Sequence, residues 1–435
     1  MINAMHLEDY IAQHAQRQPE RLAVVCGAKR ITYAQLDALV NERCAAYNGM
    51  HGRLIPLKAR HDVHFLADYF AIHRSGNVAV LLDERTIGDA PDFSDANVPP
   101  DSADVLYTSG TTGKQKGVVI SHRAIMANAE NLIQAQGYHN NITFIINGPL
   151  NHFGSLSKVY PTIVVGGTIC LVDGMKNMDA FFKTVDMAEG PVATFLVPAS
   201  IHMMLAFASR QLTERADKME FIETGAAPIS KDDILRLKQL LPQSRLYNTY
   251  ASTETGIVAT YNYNNVEECQ AGCVGHALPH NVIDVTGDGF IACQGDTLMT
   301  GYLDSEAHTV SLIQEKWITT NDLGHFDAQG RLFVDGRGDD IINVGGYKVA
   351  PTEVEAAALS LPMVSDCICV AGHHPILGTV LKLVVVPTEG QQLNKRELAA
   401  ALSQRLAAYM IPAQYEEAEA ICRTFNGKLD RKAYR

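Results

Sequence analysis

The stretch Tyr107-Thr108-Ser109-Gly110-Thr111-Thr112-Gly113-Lys114-Gln115-Lys116-Gly117 sets three glycines, four small hydroxyl residues and two lysines in eleven positions. An apolar run at 104–108 leads into it and reads as a strand. Glycines let the backbone turn tightly and present N–H groups to an anion, hydroxyls add donors, and a lysine adds charge. A polyphosphate is the natural ligand of such a loop. It is not a Walker A loop, which needs Gly-Lys followed by Ser or Thr. Here Gln115 follows Gly113-Lys114, and Thr108 stands where the first glycine belongs.

Outward from this loop, apolar runs at 104–108, 143–147, 193–197, 220–224 and 245–249 read as strands. Helical patterns lie between them at 121–135, 177–189, 200–209 and 230–241. The alternation predicts an α/β fold with parallel, helix-covered sheets. After residue 275 short strands separated by Gly and Asp turns, at 282–284, 289–293, 316–320 and 331–335, predict a small antiparallel region. From about residue 338 the pattern predicts a small α+β unit. Its strands fall at 340–343, 347–350, 365–370 and 380–386, and its helices at 352–360 and 394–408. Gly287-Asp288-Gly289-Phe290-Ile291-Ala292 fits a dinucleotide-binding spacing. The residues from Phe290 read as a strand, however, so no helix N-terminus would face a pyrophosphate, and a hairpin turn is expected.

The chain has 435 residues, ample for a large core. It is 47% hydrophobic and 19% charged, which excludes disordered, collagen-like and coiled-coil classes. The net charge of −12 disfavours duplex nucleic-acid binding. Residues 339–435 carry 10 basic and 11 acidic groups, so the acidic excess falls on the first part of the chain. Nine cysteines, an odd number mostly in apolar runs, read as reduced thiols of a cytoplasmic protein. Cys269, Cys273 and His276 lack an evident fourth ligand, so a zinc site is not expected there. The N-terminus has no signal-peptide core, and no apolar run approaches the ~20 residues of a membrane span.

The phosphate loop at 109–117 resembles that of the acyl-adenylate-forming (AMP-binding) superfamily, which includes acyl- and aryl-CoA synthetases and stand-alone adenylation enzymes. Five further matches follow in order. Gly225-Ala226-Ala227-Pro228 is similar to the adenine-binding turn, and Tyr250-Ala251-Ser252-Thr253-Glu254 to the aromatic-Gly-x-Thr-Glu motif. Thr320–Gly324 is similar to the ribose motif, Gly336–Ile341 to the hinge, and Asn426–Arg431 to the C-terminal catalytic-lysine motif.

The resemblance implies a body of residues 1–338 that binds ATP and the acid, and a mobile domain of residues 339–435 that turns about Asp339. It implies phosphate contacts from Thr108, Ser109, Gly110, Thr111, Thr112 and Lys116. It places adenine against Gly225, Ala226, Ala227, Asn248 and Tyr250, and the ribose on Asp322 and Arg337. Glu254 becomes the Mg²⁺ ligand, Thr253 an α-phosphate donor and Lys428 the catalytic cation. Gly345, Gly346 and Lys348 line the pantetheine tunnel.

These residue types suit the tasks. A Tyr ring stacks on a base, a carboxylate accepts from two ribose hydroxyls, and a hard oxygen suits Mg²⁺. The implied chemistry is attack of a carboxylate on the α-phosphate of ATP, giving an acyl-adenylate and pyrophosphate. A thiol then takes the acyl group, either from CoA or from the phosphopantetheine of a separate acyl carrier protein. The acyl pocket is expected to involve Asn151, His152, Phe153 and Gly154, with His152 gating the carboxylate and Asn151 bonding a ring substituent or capping a helix.

The sequence departs from the family pattern in places. Ala251 replaces a glycine, and the segments 83–102 and 123–149 are short. Amino-acid-activating relatives carry an aspartate where Gly154 stands. A buried ammonium without a counter-charge is costly, so an aryl or alkyl acid is expected rather than an α-amino acid. A nucleotide-binding protein without catalysis is the reading from a different class; Lys428 and Glu254 argue against it.

Overall fold

The computed structural model describes residues 5–84, 93, 98–109, 115–175, 177–264, 272–304, 309–313, 316–344, 347–375, 378–388, 390–423 and 429–434. Among them a thirteen-stranded sheet forms the backbone of the body. Its central strands Arg245–Ser252, Met219–Gly225, Val192–Phe195, Thr143–Ile146, Thr168–Leu171 and Leu22–Cys26 are parallel neighbours in that order. Thr143–Ile146, Thr168–Leu171 and Val192–Phe195, in the middle of this run, are mostly apolar and almost fully buried, as strands covered on both faces must be. The expected antiparallel region is present, but it extends this same sheet. Arg245–Ser252 turns back as Gly256–Asn262, and the ladder continues through Cys273–Ala277, Leu332–Arg337, Ile318–Phe326, Phe290–Gly295 and Asn281–Val285. The dinucleotide-like stretch is the turn between the last two strands, with Gly289 at φ +86°, as its strand reading required.

A second, six-stranded sheet holds the phosphate-loop hairpin. Ser102–Ser109 pairs antiparallel with Gln115–Ser121, register Thr108 to Lys116, so the residues flanking the loop lie side by side. The expected helix at 121–135 is present, but the sequence pattern gave no strand between it and the loop. Instead a full strand intervenes, and the helix His122–Gln136 begins only where Ser121 Oγ accepts from Ala124 N–H at 3.1 Å. That helix ends at Gly137, whose φ of +68° closes it. Gly301–Asp304 flanks Gln115–Ser121 on the other side, pairing Tyr302 with Val118.

The N-terminal hundred residues, not parsed above, form the helices Leu7–Arg17, Tyr33–Cys44 and Val63–Arg74 and the strands Leu22–Cys26, Lys29–Thr32, Leu54–Lys58 and Val78–Leu82. The core that joins them to the rest buries Tyr33, Tyr69, Phe70, Phe144 and Tyr160. The C-terminal unit is a small α+β layer. Val364–His374 pairs antiparallel with Gly378–Pro387, which pairs parallel with Gln414–Glu417, and the helices Pro351–Leu359 and Lys395–Ser403 pack on their buried face. The second helix is shorter than its apolar pattern. The chain leaves it after Ser403 and makes a 3₁₀ turn at Ala408–Met410 before Pro412. The architecture is thus the expected α/β body with a smaller C-terminal unit. No helix among the described residues is long and apolar enough to cross a membrane.

Candidate active site

Strand ends deliver most of the predicted residues to one region. The strand Arg245–Ser252 carries Asn248 and Tyr250 and leads straight into Thr253 and Glu254. Its parallel neighbour Met219–Gly225 ends one register step earlier, Gly225 opposite Thr249. A Cβ at Gly225 would lie 2.5 Å from the Thr249 carbonyl oxygen, so only glycine permits that closeness. Ala226 follows at φ +66°, the one non-glycine residue at positive φ among the described residues. Such a conformation costs an alanine roughly 1 kcal/mol and is characteristic of ligand clamps.

Asn248 is buried and held. Its Nδ2 donates to the Cys273 carbonyl at 2.9 Å and to the Tyr263 hydroxyl at 3.0 Å. A carbonyl can only accept, so the amide nitrogen is fixed on that side and Oδ1 is left as an acceptor for an amino group. Tyr250 is largely buried against Val258, Ala259, Ile291 and Cys293. Its hydroxyl donates to Asp322 Oδ2 at 2.7 Å and to Thr320 Oγ1 at 3.3 Å. Burial, then the Asp322 charge, pushes that hydroxyl far above the ordinary tyrosine range. Asp322 is paired in register with Arg337 across the antiparallel ladder, with Arg337 Nε 3.6 Å from Asp322 Oδ1. Three motifs distant in sequence therefore meet through hydrogen bonds and one ladder rung.

At the other end of the same hairpin lies a second cluster. Glu254 is half-buried, and its backbone carbonyl accepts from Met299 N–H at 2.8 Å, tying it to the segment that leads into Gly301–Asp304. The Tyr302 hydroxyl hydrogen-bonds the Glu254 carboxylate; burial and that negative neighbour push it up to about 12. Lys116 Nζ sits over the Tyr302 ring, 5.0 Å from its centre. Lys116 is the one lysine of the phosphate loop among the described residues. Tyr302 went unrecognised in the sequence. Its only signal was a Met-Thr-Gly-Tyr stretch whose pairing with the loop strand is a tertiary fact.

The predicted acyl-pocket residues sit on a short helix, Phe153–Leu156, capped by His152. The cap is His152 rather than Asn151, and no cap bond from its side chain forms, which corrects the helix-capping alternative for Asn151. Phe153 is buried, and the Gly154 Cα faces the Phe195 ring, where a Cβ would be 3.8 Å away. Asp339 is exposed at the centre of the 3₁₀ turn Gly338–Asp340, directly after the strand that carries Arg337. Gly110, Thr111, Thr112, Gly345, Gly346 and Lys428, with the side chains of Ser109 and Lys348, lie outside the described residues.

The residues on either side of the lysine motif are placed. Arg423 and Leu429 form an antiparallel bridge across it. Arg431 grips Glu355 through both terminal guanidinium nitrogens, at 2.5 and 2.9 Å, and its Nε lies 3.3 Å from Asp340 of the 3₁₀ turn Gly338–Asp340. The sequence reading quoted Arg431 but gave it no role.

The AMP-binding enzyme family model matches residues 83–303, and that of the AMP-binding enzyme C-terminal domain matches 353–428. The chain belongs to the AMP-binding enzyme family. Among relatives of this AMP-binding enzyme, the indoleacetate–CoA ligase of Aromatoleum aromaticum is 27% identical over 500 aligned positions, covering 98% of this chain and 96% of the relative. That alignment exceeds the 435 residues of the chain, so internal gaps absorb the difference, in keeping with a trimmed member.

Two solved structures share the fold. ATP-bound MatB from Rhodopseudomonas palustris has a TM-score of 0.85 at 21% identity, covering 99% of this chain and 98% of that one. The o-succinylbenzoate–CoA synthetase MenE of Bacillus subtilis, with ATP and a magnesium ion, has a TM-score of 0.80 at 22% identity and 98% coverage of both chains.

Proposed function

We propose that this AMP-binding enzyme is an ATP- and Mg²⁺-dependent, AMP-forming acid–CoA ligase for an aryl or alkyl carboxylic acid. In the first step a substrate carboxylate oxygen bonds to the α-phosphorus and the bond to the β-phosphate bridging oxygen breaks, releasing pyrophosphate. In the second, a CoA thiolate attacks the acyl carbonyl and AMP leaves.

The observation that carries this reading is the single hairpin running from Tyr250 to Glu254. Asn248 and Tyr250 on it, bonded to Asp322 beside Arg337, would serve as the nucleoside-binding end, and Thr253 and Glu254 at its turn, with Lys116 across Tyr302, as the phosphate end. Asn248 Oδ1 would accept from the adenine amino group, and Asp322 and Arg337 would hold the ribose. At the phosphate end the hard carboxylate of Glu254 suits Mg²⁺, which binds few protein carboxylates and completes its shell with phosphate oxygens and water. When bound, Mg²⁺ neutralises phosphate charge.

On this reading the body is residues 1–338 and the mobile domain residues 339–435. Rotation at Asp339 alternately presents Lys428 to the α-phosphate and the Gly345-Gly346-Tyr347-Lys348 segment to the pantetheine arm. The decisive test is pyrophosphate release with a panel of acids, followed by thioester formation with CoA and, in parallel, with a phosphopantetheinylated carrier protein. Acid-dependent pyrophosphate release and acyl-CoA are expected. ATP cleavage without dependence on acid, or acyl transfer to the carrier alone, would overturn the ligase reading.

A further inference from the structure

Three histidines and a glutamate gather under the N-terminal helix, and no role above uses them. His6 caps the helix Leu7–Arg17, and Glu8 lies in its first turn. His73 is in the last turn of the helix Val63–Arg74. His122 opens the helix His122–Gln136, at the end of Gln115–Ser121 away from the phosphate loop. One ligand-capable atom from each of His6, Glu8 and His122 lies within 4.8 Å of the others. His73 joins them from the interior, with Nδ1 4.0 Å from Glu8 Oε2 and its ring edge-on to that of His122, centres 5.1 Å apart. Glu8, His73 and His122 are only 4%, 2% and 7% exposed.

Hydrogen bonding fixes the tautomer of His73. Its Nε2 is 3.1 Å from the Ala103 carbonyl and 3.0 Å from Asp104 Oδ1. A carbonyl and a carboxylate only accept, so Nε2 carries the hydrogen, and in the neutral ring Nδ1 is a bare lone pair. That lone pair faces Glu8 Oε2, and both atoms are buried without a hydrogen-bond partner among the described residues. His122 Nδ1 is a third such atom. Acceptors facing each other in a core are costly unless something positive or doubly donating lies between them. In the metal-free chain a proton on His73 Nδ1 would satisfy that pair but leave His122 Nδ1 bare. Asp104, behind His73, is itself held, accepting at Oδ2 from the Tyr69 hydroxyl at 3.0 Å and the Tyr160 hydroxyl at 3.4 Å. A histidine that gives its far N–H to a fixed carboxylate is the usual support of a metal-bound imidazole.

We propose that His6, Glu8, His73 and His122 form a structural Zn²⁺ site, separate from the Mg²⁺ of the proposed reaction. Three imidazoles and one carboxylate suit zinc, whereas Mg²⁺ calls for oxygen ligands. Four protein ligands complete a tetrahedron and leave no position open for a substrate, which makes the role structural. Ligand atoms on one zinc ion sit roughly 3.3 Å apart, so the cluster closes slightly around it. The His6 and His122 rings are stacked with centres 4.1 Å apart and must turn a little to share the ion. His6, its side chain 45% exposed, has room to turn and marks the way in. The ion would tie together three helices far apart in sequence and anchor the first of them to the helix that follows Gln115–Ser121. Closing such long loops removes conformational freedom from the unfolded chain.

The test uses the full chain, stripped with EDTA, dialysed and kept in millimolar Mg²⁺ throughout. Calorimetric titration with zinc chloride and elemental analysis after dialysis should give about one Zn²⁺ per chain. The zinc-bound form should melt at a higher temperature than the stripped form. Cobalt in place of zinc should show the visible absorption of a tetrahedral ion without a thiolate charge-transfer band, which separates this site from the nine cysteines. His6 stands at the rim, so His6→Ala should fold as wild type and bind Zn²⁺ at least ~10-fold more weakly. Adding Glu8→Gln to it should abolish the binding. No zinc bound by the folded wild type at micromolar concentration would overturn the inference and leave a proton or a water between His73 and Glu8. A thiolate band, or binding unchanged in the double variant, would overturn it by placing the ion elsewhere. None of these readouts depends on adenylation, so the ligase reading and this one stand or fall separately.

Discussion

The Tyr250 hydroxyl donates to Asp322 Oδ2 at 2.7 Å, so one motif sets the carboxylate of another 72 residues away. On the ligase reading that carboxylate receives the ribose. Tyr250→Phe keeps the ring and removes the hydroxyl, leaving Asp322 free to turn toward Arg337. A hydrogen bond to a charged group is worth about 1.5–3 kcal/mol. The expected outcome is a rise in KM for ATP of roughly tenfold or more with a smaller change in kcat. Steady-state kinetics at saturating acid measures it, and an unchanged KM for ATP would sink the idea that Tyr250 positions Asp322.

Tyr302 does the same for Glu254 at the phosphate end, with its ring also facing Lys116. Tyr302→Phe should loosen Glu254, the proposed metal ligand, by roughly 1 kcal/mol, less than for the Tyr250 bond because Tyr302 and Glu254 are only half-buried. The Mg²⁺ concentration for half-maximal activity should then rise about fivefold, while KM for the acid stays within twofold. Titrating Mg²⁺ at fixed ATP decides it. An equal shift in every substrate would point to general loosening of the site.

How much of this was legible beforehand depends on the range of the interaction. The parallel strands and the C-terminal α+β unit follow from short-range residue patterns, and the fold bears these out; the six motifs were legible for the same reason. The strand Gln115–Ser121 escaped the reading because Val118–Ile120 runs without a break into the helix that follows, and only pairing with Ser102–Ser109 separates them. The elements of the first hundred residues were passed over although Thr32 and Asp62 cap two of the helices in recognisable fashion. Tyr302 and Arg431 were invisible for a different reason. Each acquires its role from a partner 48 or more residues away, and a single chain carries no signal of that pairing.

Acid should destabilise the protein through a cluster under the N-terminal helix. His122 is buried beside the positive His73, and burial foremost holds its pKa down at about 3. The folded state keeps it neutral, so the unfolded chain gains the extra proton first. Stability is full above about pH 6.5 and falls as pH drops toward 3. Glu8 acts in the same sense. Burial alone would raise it, but His6 and His73 outweigh burial and bring it to about 2, so its contribution is lost between about pH 4.5 and 2. His73 is raised, against its burial, chiefly by Asp104, so its contribution is full below about pH 6.5 and fades above. The optimum is therefore expected near pH 6.5, with a loss of about 3–4 kcal/mol by pH 4, taking 1.36 kcal/mol per unit. Urea unfolding at several pH values checks this, and His122→Gln should flatten the limb between pH 6.5 and 4. A wild-type curve flat from pH 7 to 4 would contradict it.

The last prediction separates the two half-reactions. Arg423 and Leu429 bridge across the segment that holds Lys428, and Arg431 anchors the segment's far side to Glu355 and Asp340 beside the predicted hinge. The described residues flanking Lys428 are therefore held to the C-terminal unit, and on the proposed reading the lysine would move with it. If it supplies positive charge where the carboxylate meets the α-phosphate, Lys428→Ala should slow adenylate formation by roughly two to three orders of magnitude, the scale of losing one well-placed transition-state donor. Thioester formation from a supplied acyl-adenylate should stay within a few-fold of wild type if, as proposed, that step uses the Gly345–Lys348 segment instead. Pyrophosphate exchange reports the first step and acyl-CoA formation from synthetic adenylate the second. Wild-type pyrophosphate exchange in Lys428→Ala would show that another group stabilises the developing charge. Equal loss in both steps would show that the lysine holds the domain together instead of serving one of its two poses.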